Sequence, residues 1–266
     1  MSLPGVYPAK TKNGKNYYRS SLTCNRKHIS LGSYASEQKA SLAYQEGRKI
    51  LGDSSFSVHD YHPDLTISFE KYVSLVNLRD HHIYFSTPIY LERNFFYYFL
   101  SPEIVLKFDL DDLFYYSSHK IMIRNRHLFI DDYGSQISLP SRYGIRNYAV
   151  RNRDYRFVNE DPRDFRYENI QIFNPYYGIH AVQKKHRTFY QARIHIRGYF
   201  IIGLYTTAIE AAVAYNKAVD ILKQKGSRKN YALNYIEELS PSKYADLYSV
   251  LPISSKLLSL PPFTGK

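Results

Sequence analysis

The chain has a single cysteine, no tryptophan and no hydrophobic run long enough to cross a membrane. Because Cys24 has no partner within the chain, an internal disulfide and a cysteine-based zinc site are both excluded. Residues 1–5 lack the charged and apolar regions that are typical of a signal peptide. We therefore expect a cytoplasmic protein, associated with the nucleoid if it is bacterial or from a phage, and no contact with a membrane.

The length and composition are typical of a folded protein. The 266 residues are enough for two or three small domains, each with its own core. With 44% hydrophobic and 23% charged residues, the chain has the balance of a globular protein rather than a disordered one.

The net charge of +12 is concentrated in two parts of the chain. Residues 1–52 contain nine lysines and arginines against two acidic residues, a net charge of +7. Residues 178–236 contain ten against two, a net charge of +8, so that the rest of the chain carries −3. This distribution predicts two modules that bind a polyanion, joined by a slightly acidic spacer. Charge alone leaves open the alternative that both segments are ordinary solvated surfaces.

The two basic segments contain the same series of residues in the same order. Three short segments, 5–7, 18–22 and 29–34, correspond in turn to 178–180, 190–194 and 200–205. A helical set also recurs, with Ala40, Ala43, Tyr44, Gly47, Ile50 and Leu51 matched by Ala211, Ala214, Tyr215, Ala218, Ile221 and Leu222. The offset changes only from 173 to 171, so the copies differ only in the length of their turns. This internal repeat predicts two copies of one module.

Each copy is predicted to form three strands followed by a helix. In the second copy, Tyr190, Ala192, Ile194 and Ile196 alternate with Gln191, Arg193, His195 and Arg197, which a strand sends to opposite faces. In the first copy, Arg19, Ser21 and Thr23 alternate in the same way with Tyr18, Ser20 and Leu22. Ser36 and Thr207 are suitable N-caps, and Thr207 with Glu210 predicts a capping box. The helix would cover one face of the sheet and leave the other face open, polar and basic.

These segments resemble the DNA-binding domain of the Apetala/ethylene-response-factor family over residues 4–52 and 177–236. The resemblance rests on the Gly-Val start, the basic strand, the Leu-Gly-Tyr motif and the alanine-rich helix, and residues 230–235 are similar to the family's closing Leu-Asn-aromatic signature. Members of this family place the sheet in the major groove and contact bases through strand arginines and tryptophans. Because this chain has no tryptophan, and has Ser21 and Thr23 where the second copy has Arg193 and His195, no base preference carries over.

Side-chain chemistry supports duplex DNA as the ligand. Arginine can bond guanine through two acceptors, a role that suits Arg19 and Arg193, and glutamine pairs with adenine, a role that suits Gln191. Basic residues around the first turn of each copy would contact phosphates and fix the register. The alternative for any one residue is an ordinary solvated side chain. The predicted DNA-binding residues are Tyr7, Lys10, Lys12, Lys15, Arg19, Ser21, Thr23, Arg26, Lys27 and His28 in the first copy, and His180, Lys184, Lys185, Arg187, Gln191, Arg193, His195, Arg197 and Tyr199 in the second.

The middle of the chain has a different composition. Residues 53–80 are predicted to form a junction with a short helix from Phe69 to Leu78, and strand-like runs follow at 82–85, 104–108 and 120–123. His81, His82, His119 and His127 have no ligand spacing supported by nearby carboxylates, so no metal site is predicted.

The end of the middle region resembles an HNH homing endonuclease. Residues 159–170 are similar to the helical end of that family, which carries an Asn-Arg-x-Glu-Asn-Leu run, and residues 109–112 and 137–142 resemble its lead-in strands. Phage and bacterial enzymes of this kind commonly carry an Apetala-type domain. The resemblance places the metal ligand and the catalytic His beside it on Arg156 and Phe157, the earlier His on Ser141 and the opening Asn on Phe165. None of these residues has the chemistry of the group it replaces.

The resemblance therefore implies a nuclease fold without catalytic groups. Phenylalanine offers neither a metal ligand nor a base, arginine repels a metal ion, and the retained Asn169 cannot both bind metal and deprotonate water. The alternative is that this segment is active through other residues, such as His119, His127 or the acids Asp131 and Asp132.

The sequence thus predicts an α+β protein in which two small domains, each a three-stranded antiparallel sheet with a helix, flank a degenerate HNH (ββα-like) centre. The predicted boundaries are 1–53 and 177–240 for the Apetala-type domains, 54–81 for a linker, 82–176 for the centre and 241–266 for a tail. The predicted function is sequence-specific binding of double-stranded DNA at a bipartite site, without cofactor, metal or catalysis. A transcriptional repressor derived from a homing endonuclease of a phage or mobile element fits this description.

Three matters stay open at the level of sequence. The chain could instead be an active, metal-dependent HNH nicking endonuclease, or a structural or inhibitory DNA-binding protein that blocks another factor's site. A homodimer is compatible with the sequence.

Overall fold

A computed structural model of the chain describes residues 3–147, 149–185 and 187–263. Within these residues the chain forms seven α-helices and several small, three-stranded antiparallel sheets, which confirms the predicted α+β class. The chain divides into two compact units, Met1–Tyr143 with Phe157–Ile170, and Gly144–Arg156 with Gln171–Lys266. No helix of the described part has the length and apolar character needed to span a bilayer.

The first unit begins with a sheet and a helix, called here the N-terminal motif. It consists of strands β1 (Val6–Lys10), β2 (Asn16–Cys24) and β3 (Lys27–Tyr34), paired antiparallel in that order, and helix α1 (Glu37–Gly52). Asn25 and Arg26 form a two-residue turn between β2 and β3, both with positive φ, as a tight hairpin requires. The Oγ of Ser36 accepts a hydrogen bond from the N–H of Lys39 and caps α1 as predicted. Leu22, Ile29 and Ala43 are buried between the sheet and the helix.

Helix α2 (Phe69–His81) packs against α1, in the segment that the sequence predicted as a linker. The predicted helix is present and runs three residues further, and its Tyr72, Leu75 and Val76 are fully buried. The Glu46 carboxylate of α1 accepts hydrogen bonds from the N–H groups of Thr66 and Ile67, at 2.9 and 3.0 Å. This segment is therefore part of the core of the first unit, because α2 is apolar along the face that meets α1.

The rest of the middle region contains two more three-stranded sheets and a two-stranded one. The elements are β4 (Ile89–Leu91), β5 (Phe95–Ser101), β6 (Ile104–Asp109), α3 (Leu113–Ser118), β7 (Ile121–Arg124), β8 (His127–Asp132), β9 (Ser135–Ser138), α4 (Leu139–Arg142), β10 (Tyr155–Phe157) and β11 (Ile170–Ile172). Strands β4–β6 form one three-stranded sheet, β7–β9 the other, and β10 and β11 the two-stranded one. The predicted strands at 104–108 and 120–123 correspond to β6 and β7. The predicted strand at 82–85 is absent, because His82 ends α2 in the left-handed conformation and the next three residues have no regular structure.

An aromatic cluster forms the core around β6. The ring of Phe108 stacks on Tyr116 at a centroid distance of 4.4 Å and on Phe165 at 5.7 Å. The buried Asp112 carboxylate accepts hydrogen bonds from the Tyr143 hydroxyl at 2.8 Å and from Nη2 of Arg142 at 3.1 Å. Burial, the neighbouring Tyr116 hydroxyl and Asp112 raise the pKa of Tyr143, so this hydroxyl stays protonated and acts as a donor.

The second unit contains another sheet and helix, called here the C-terminal motif. It consists of strands β12 (Ile179–Lys184), β13 (Arg187–His195) and β14 (Tyr199–Tyr205), paired in that order, and helix α5 (Ala208–Gln224). Thr207 and Glu210 form the predicted capping box at the start of α5. The helices α6 (Pro241–Val250) and α7 (Ser255–Leu258) follow.

The segment predicted as a C-terminal tail is folded onto the C-terminal motif over its described residues. Leu251 and Leu257 are buried in the same core as Ala211 and Ala214. The Tyr205 hydroxyl donates a hydrogen bond to the carbonyl of Pro252 at 2.8 Å. Apolar residues spaced along 251–260 therefore complete the core of the second unit.

Candidate nucleic-acid interface

The two motifs share their strand register as well as their order of residues. Val6 pairs with Ser20 in the first copy, as Ile179 pairs with Ala192 in the second. The ladder between the second and third strands then shifts by one residue directly after Ser20 and directly after Ala192. The extra residue of the bulge is Leu31 in one copy and Ile202 in the other. The repeat seen in the sequence is therefore also a repeat of backbone geometry.

A glycine at the start of each motif has the same structural role. Gly5 and Gly178 have φ of +71° and +70°, in the left-handed region. A Cβ atom on Gly5 would lie 2.0 Å from the ring of Tyr44, and one on Gly178 would lie 2.4 Å from the ring of Tyr215. The carbonyl of each glycine accepts a hydrogen bond from the residue after the ladder shift, Ser21 at 3.0 Å and Arg193 at 2.7 Å.

Each sheet presents one face to its helix and leaves the opposite face uncovered. The register places Tyr7, Arg19, Thr23, His28, Ser30 and Ser33 on the uncovered face of the N-terminal motif, which we call the N-terminal open face. The equivalent C-terminal open face consists of His180, Gln191, Arg193, His195, Tyr199, Ile201 and Leu204.

Two hydrogen bonds order polar side chains on the C-terminal open face. The Nε of Arg193 donates to Oε1 of Gln191, which directs the two terminal nitrogens of the guanidinium toward a ligand. Lys229 Nζ lies 2.9 Å from Nδ1 of His195 and donates to the His195 carbonyl at 2.9 Å. Because an ammonium group has no acceptor, Nδ1 of His195 accepts and Nε2 carries the ring proton. This face therefore offers donors from Arg193 and His195.

His180 lies at the β12 edge of the same face. Its burial, together with the positive charges of Arg153 and Arg193, lowers the pKa of His180 below its ordinary value. Nδ1 of His180 is buried and has no hydrogen-bond partner among the described residues. His180 is thus a neutral ring at pH 7.

The N-terminal open face offers fewer groups to a ligand. Arg19 donates from Nε and Nη2 to the Tyr17 hydroxyl at 3.2 and 2.9 Å, so it is also held by the residue two positions earlier. Ser21 is only 5% exposed, although it pairs with the exposed Ser30 across the ladder. Arg193 occupies the equivalent position of the C-terminal motif and is partly exposed. Ser21 therefore offers little surface to a ligand, and its contact with DNA stays a prediction.

The turns beside both open faces carry exposed cations. Lys12 and Lys15 lie at the β1–β2 turn, and Lys184, Lys185 and Arg187 at the β12–β13 turn. The second turn of each motif carries Arg26 or Arg197, also exposed. Three further predicted residues are likewise exposed, namely Lys10, Lys27 and Tyr199. Lys27 also sits 4.7 Å above the ring of Tyr84.

Two residues of the C-terminal open face were not selected from the sequence. Ile201 and Leu204 are 51% and 36% exposed, although both are large and apolar. Alternation from Tyr199 would have pointed to Ile201, but Leu204 faces outward only because of the extra residue Ile202. Apolar side chains on such a face can contact the methyl group of thymine. The equivalent residues of the N-terminal motif are Ser30 and Ser33, which are polar.

Three residues of the predicted nuclease segment are buried in the protein, namely Phe157, Phe165 and Asn169. Phe157 and Phe165 are buried with ring centroids 5.9 Å apart, and Phe165 also packs on Phe108. The buried Asn169 donates from Nδ2 to the Asp164 carbonyl at 2.8 Å and accepts from the Asn159 N–H at 2.8 Å. Residues 159–170, predicted as a helical end, form turns and one 3-10 turn over Tyr167–Asn169.

Two of the alternative catalytic residues, His119 and Asp132, contact each other, and His127 and Asp131 are exposed. Nε2 of His119 lies 3.3 Å from Oδ1 of Asp132, and its Nδ1 lies 2.8 Å from the Tyr115 carbonyl. Both ring nitrogens of His119 thus have protein partners. Ser141 is exposed on α4, and Arg156, in the second unit, donates from Nε to Oε1 of Gln171 at 2.8 Å. Within the described ranges, no three His, Cys, Asp or Glu side chains lie where they could hold a metal ion.

Comparisons of the chain with protein-family models, with curated proteins and with solved structures found no match. The function is therefore inferred from the residues and geometry of this chain.

Proposed function

We propose that this chain is a sequence-specific DNA-binding protein that binds duplex DNA through the open faces of both motifs and does not cleave it. The observation that carries the proposal is the repeated geometry. Two sheets with the same register and the same bulge each leave one face uncovered, and that face carries Arg19 or Arg193 between cationic turns. A β-ribbon of this size fits the major groove, where arginine can bond guanine through two acceptors.

The charge distribution supports DNA as the ligand. The second unit contains seventeen lysines and arginines against six acidic residues, so it carries +11 of the chain's net charge of +12. A surface of this charge attracts a phosphate backbone and gains affinity by releasing condensed counterions. The lysines at the β12–β13 turn are in the right place to position the sheet on the backbone.

Two motifs on one chain would make a bivalent contact. Once one motif is bound, the other acts at a high effective concentration, which raises the affinity for a site with two elements. The two elements would differ. Arg193, Ile201 and Leu204 favour guanine and thymine in one element, while the other depends on Arg19 with Thr23 and His28 beside it.

The centre of the chain is compatible with an ancestral nuclease that has lost its chemistry. Burial of Phe157 and Phe165 in an aromatic core supports this, since these side chains replace groups that a nuclease needs in contact with metal and water. Together with the likeness of both motifs to the Apetala/ethylene-response-factor domain, this favours a transcriptional regulator, acting by occupancy of its site.

The proposal is tested with the purified full chain and a labelled pool of random duplexes at about 0.15 M salt, a concentration at which nonspecific binding is weak. We expect retention of a subset of duplexes, equal binding in magnesium, manganese or chelator, and two intact strands in each case. Equal retention of all duplexes would contradict specificity. Metal-dependent cleavage that disappears in a His119→Ala or His127→Ala variant would show an active nuclease instead.

A further inference from the structure

Residues 144–156 form an arginine-rich segment that belongs to the same unit as the C-terminal motif. This segment contains Arg146, Arg151, Arg153 and Arg156 against a single acidic residue, Asp154. The sequence predicted these arginines to be part of the central region. Their place in the second unit puts them with the cations of the C-terminal open face.

Asp154 is buried and holds the segment in place. Its Oδ2 accepts hydrogen bonds from the N–H of Val150 at 2.8 Å and from Nη2 of Arg153 at 2.6 Å, and its carbonyl accepts from the N–H of Phe173 at 2.8 Å. Burial acts to raise the pKa of Asp154, but the bonds from Arg153 and Val150 outweigh it and hold this pKa below its ordinary value. The single carboxylate of the segment is thus a charged internal anchor.

The anchor is connected directly to the edge of the sheet. Nδ2 of Asn174 donates to Oδ1 of Asp154 at 3.4 Å and to the carbonyl of Ile179 at 2.6 Å. Ile179 is the first residue of β12, an edge strand, and the next residue is His180 of the C-terminal open face. Arg153 is therefore linked through two side chains to the residue beside His180.

The electrostatics agree with this placement. The charges of Arg153 and Arg193 both act on the ring of His180 and lower its pKa, so both guanidinium groups are close enough to His180 to influence it. The side chain of Arg153 is 39% exposed even though it bonds Asp154, and Arg151 is exposed. The segment thus continues the cationic surface past the β12 edge.

We propose that residues 149–156 form a backbone clamp, in which Arg151 and Arg153 bind phosphates of the DNA whose groove holds the C-terminal open face. This inference rests on the proposed function and adds to it a binding site outside the repeated motif. The arginine-rich segment 144–156 has four arginines and one carboxylate, and a planar guanidinium is well suited to bidentate phosphate binding.

The test compares two double variants of the full chain that lose the same charge. Arg151→Gln with Arg153→Gln removes the clamp. Lys223→Gln with Lys243→Gln is the matched control, because these exposed lysines lie on α5 and α6, away from the open face. Affinity for a selected duplex is measured from about 0.05 to 0.3 M salt. Each phosphate that the variant no longer binds should lower the log–log salt slope by about 0.9.

For the clamp variant we expect a slope smaller by about 2, affinity lower by roughly tenfold or more at 0.15 M salt, and an unchanged base preference. The Arg151→Lys, Arg153→Lys variant keeps the charges and should recover most of the affinity, which separates phosphate binding from a folding defect. If the clamp variant and the control have the same slope, the clamp is overturned while the proposed function stands. If the wild-type chain does not bind duplexes at all, the proposed function fails and the clamp with it.

Discussion

Arg193 and Gln191 lie two residues apart on β13, and the Nε of Arg193 donates a hydrogen bond to Oε1 of Gln191. The sequence suggested a separate base for each side chain. In the structure one lone pair of Gln191 Oε1 accepts from Arg193, so that the two side chains present one oriented guanidinium. We therefore expect Gln191 to act as a positioning residue for Arg193.

This relationship predicts that Gln191→Ala weakens discrimination at the same base position as Arg193→Ala, and by less. We expect a loss of about 1–3 kcal/mol for Arg193→Ala and about 0.5–1.5 kcal/mol for Gln191→Ala, because the second variant loses only a hydrogen bond that orients the guanidinium. Gln191→Glu keeps the acceptor and should stay close to wild type in preference. Competition binding with single-base variants of the site measures the effect. A change of preference at a different base for Gln191→Ala would show that it contacts DNA itself.

The β12–β13 turn separates positioning from base recognition. Lys184→Ala with Lys185→Ala should weaken binding to all duplexes and lower the salt slope by about 0.9 for each phosphate no longer bound, because fewer counterions are released. The loss for Arg193→Ala should instead depend on the base at one position. Salt titrations on a selected and an unrelated duplex give the salt slope and the loss of affinity on each duplex. A loss confined to the selected duplex in the lysine variant would place these lysines on bases.

The glycine at the start of the repeat predicts a specific loss of stability. In Gly178→Ala the new Cβ would lie 2.4 Å from the Arg193 carbonyl and from the Tyr215 ring, at a φ of +70°. Gly14→Ala is the matched control, since its φ is +76° and no atom lies within 4 Å of its new Cβ. We expect the free energy of unfolding to fall by about 1 kcal/mol in the control, from backbone strain alone, and by about 3 kcal/mol or more in Gly178→Ala. Urea unfolding measures both, and equal losses would contradict the role of the close approach to Tyr215.

His180 predicts a pH dependence of stability in the second unit. Burial and the charges of Arg153 and Arg193 outweigh Asp154 and keep the pKa of His180 lower in the folded chain than in the unfolded chain. The unfolded state therefore binds the proton first, so the free energy of unfolding should fall as the pH drops below about 6.5. In a His180→Gln variant this part of the decrease is absent, while the contributions of Asp154 and other groups remain. The free energy of unfolding of the wild type and of His180→Gln is measured from pH 8 to 5.5. If the two free energies fall in parallel as the pH drops, the prediction is contradicted.

The sequence was sufficient for features that depend on residues close together in the chain. The capping box at Thr207 and Glu210, the cap at Ser36 and the α+β class follow from local patterns, and each is present. The repeat in the sequence corresponds to the same strand register at equivalent residues and to a bulge at the same place in each copy, although the turns differ in length.

Features that depend on distant pairing were not accessible. Ser21 alternates correctly with Arg19, but alternation along one strand does not show that its side chain is only 5% exposed in the folded chain. The helix position that carries Glu46 in α1 carries Lys217 in α5, and each binds the backbone of the segment that follows its motif. Glu46 accepts hydrogen bonds from N–H groups, whereas Lys217 donates one to the Leu251 carbonyl at 3.0 Å. No sequence pattern indicates either backbone partner. Residues 54–81 and 241–266 were therefore predicted as a linker and a tail, although the described parts of both segments pack against the helices.

The central claim is that each open face recognises its own DNA element, and a binding selection from random duplexes tests it most directly. The full chain and its Arg19→Ala and Arg193→Ala variants would be selected in parallel and the retained duplexes sequenced. We expect the wild type to enrich sites with two different elements, Arg19→Ala to lose base preference in one, and Arg193→Ala to lose it at one position of the other. A selection that enriches no sequence, or a single element that neither variant changes, would contradict this claim.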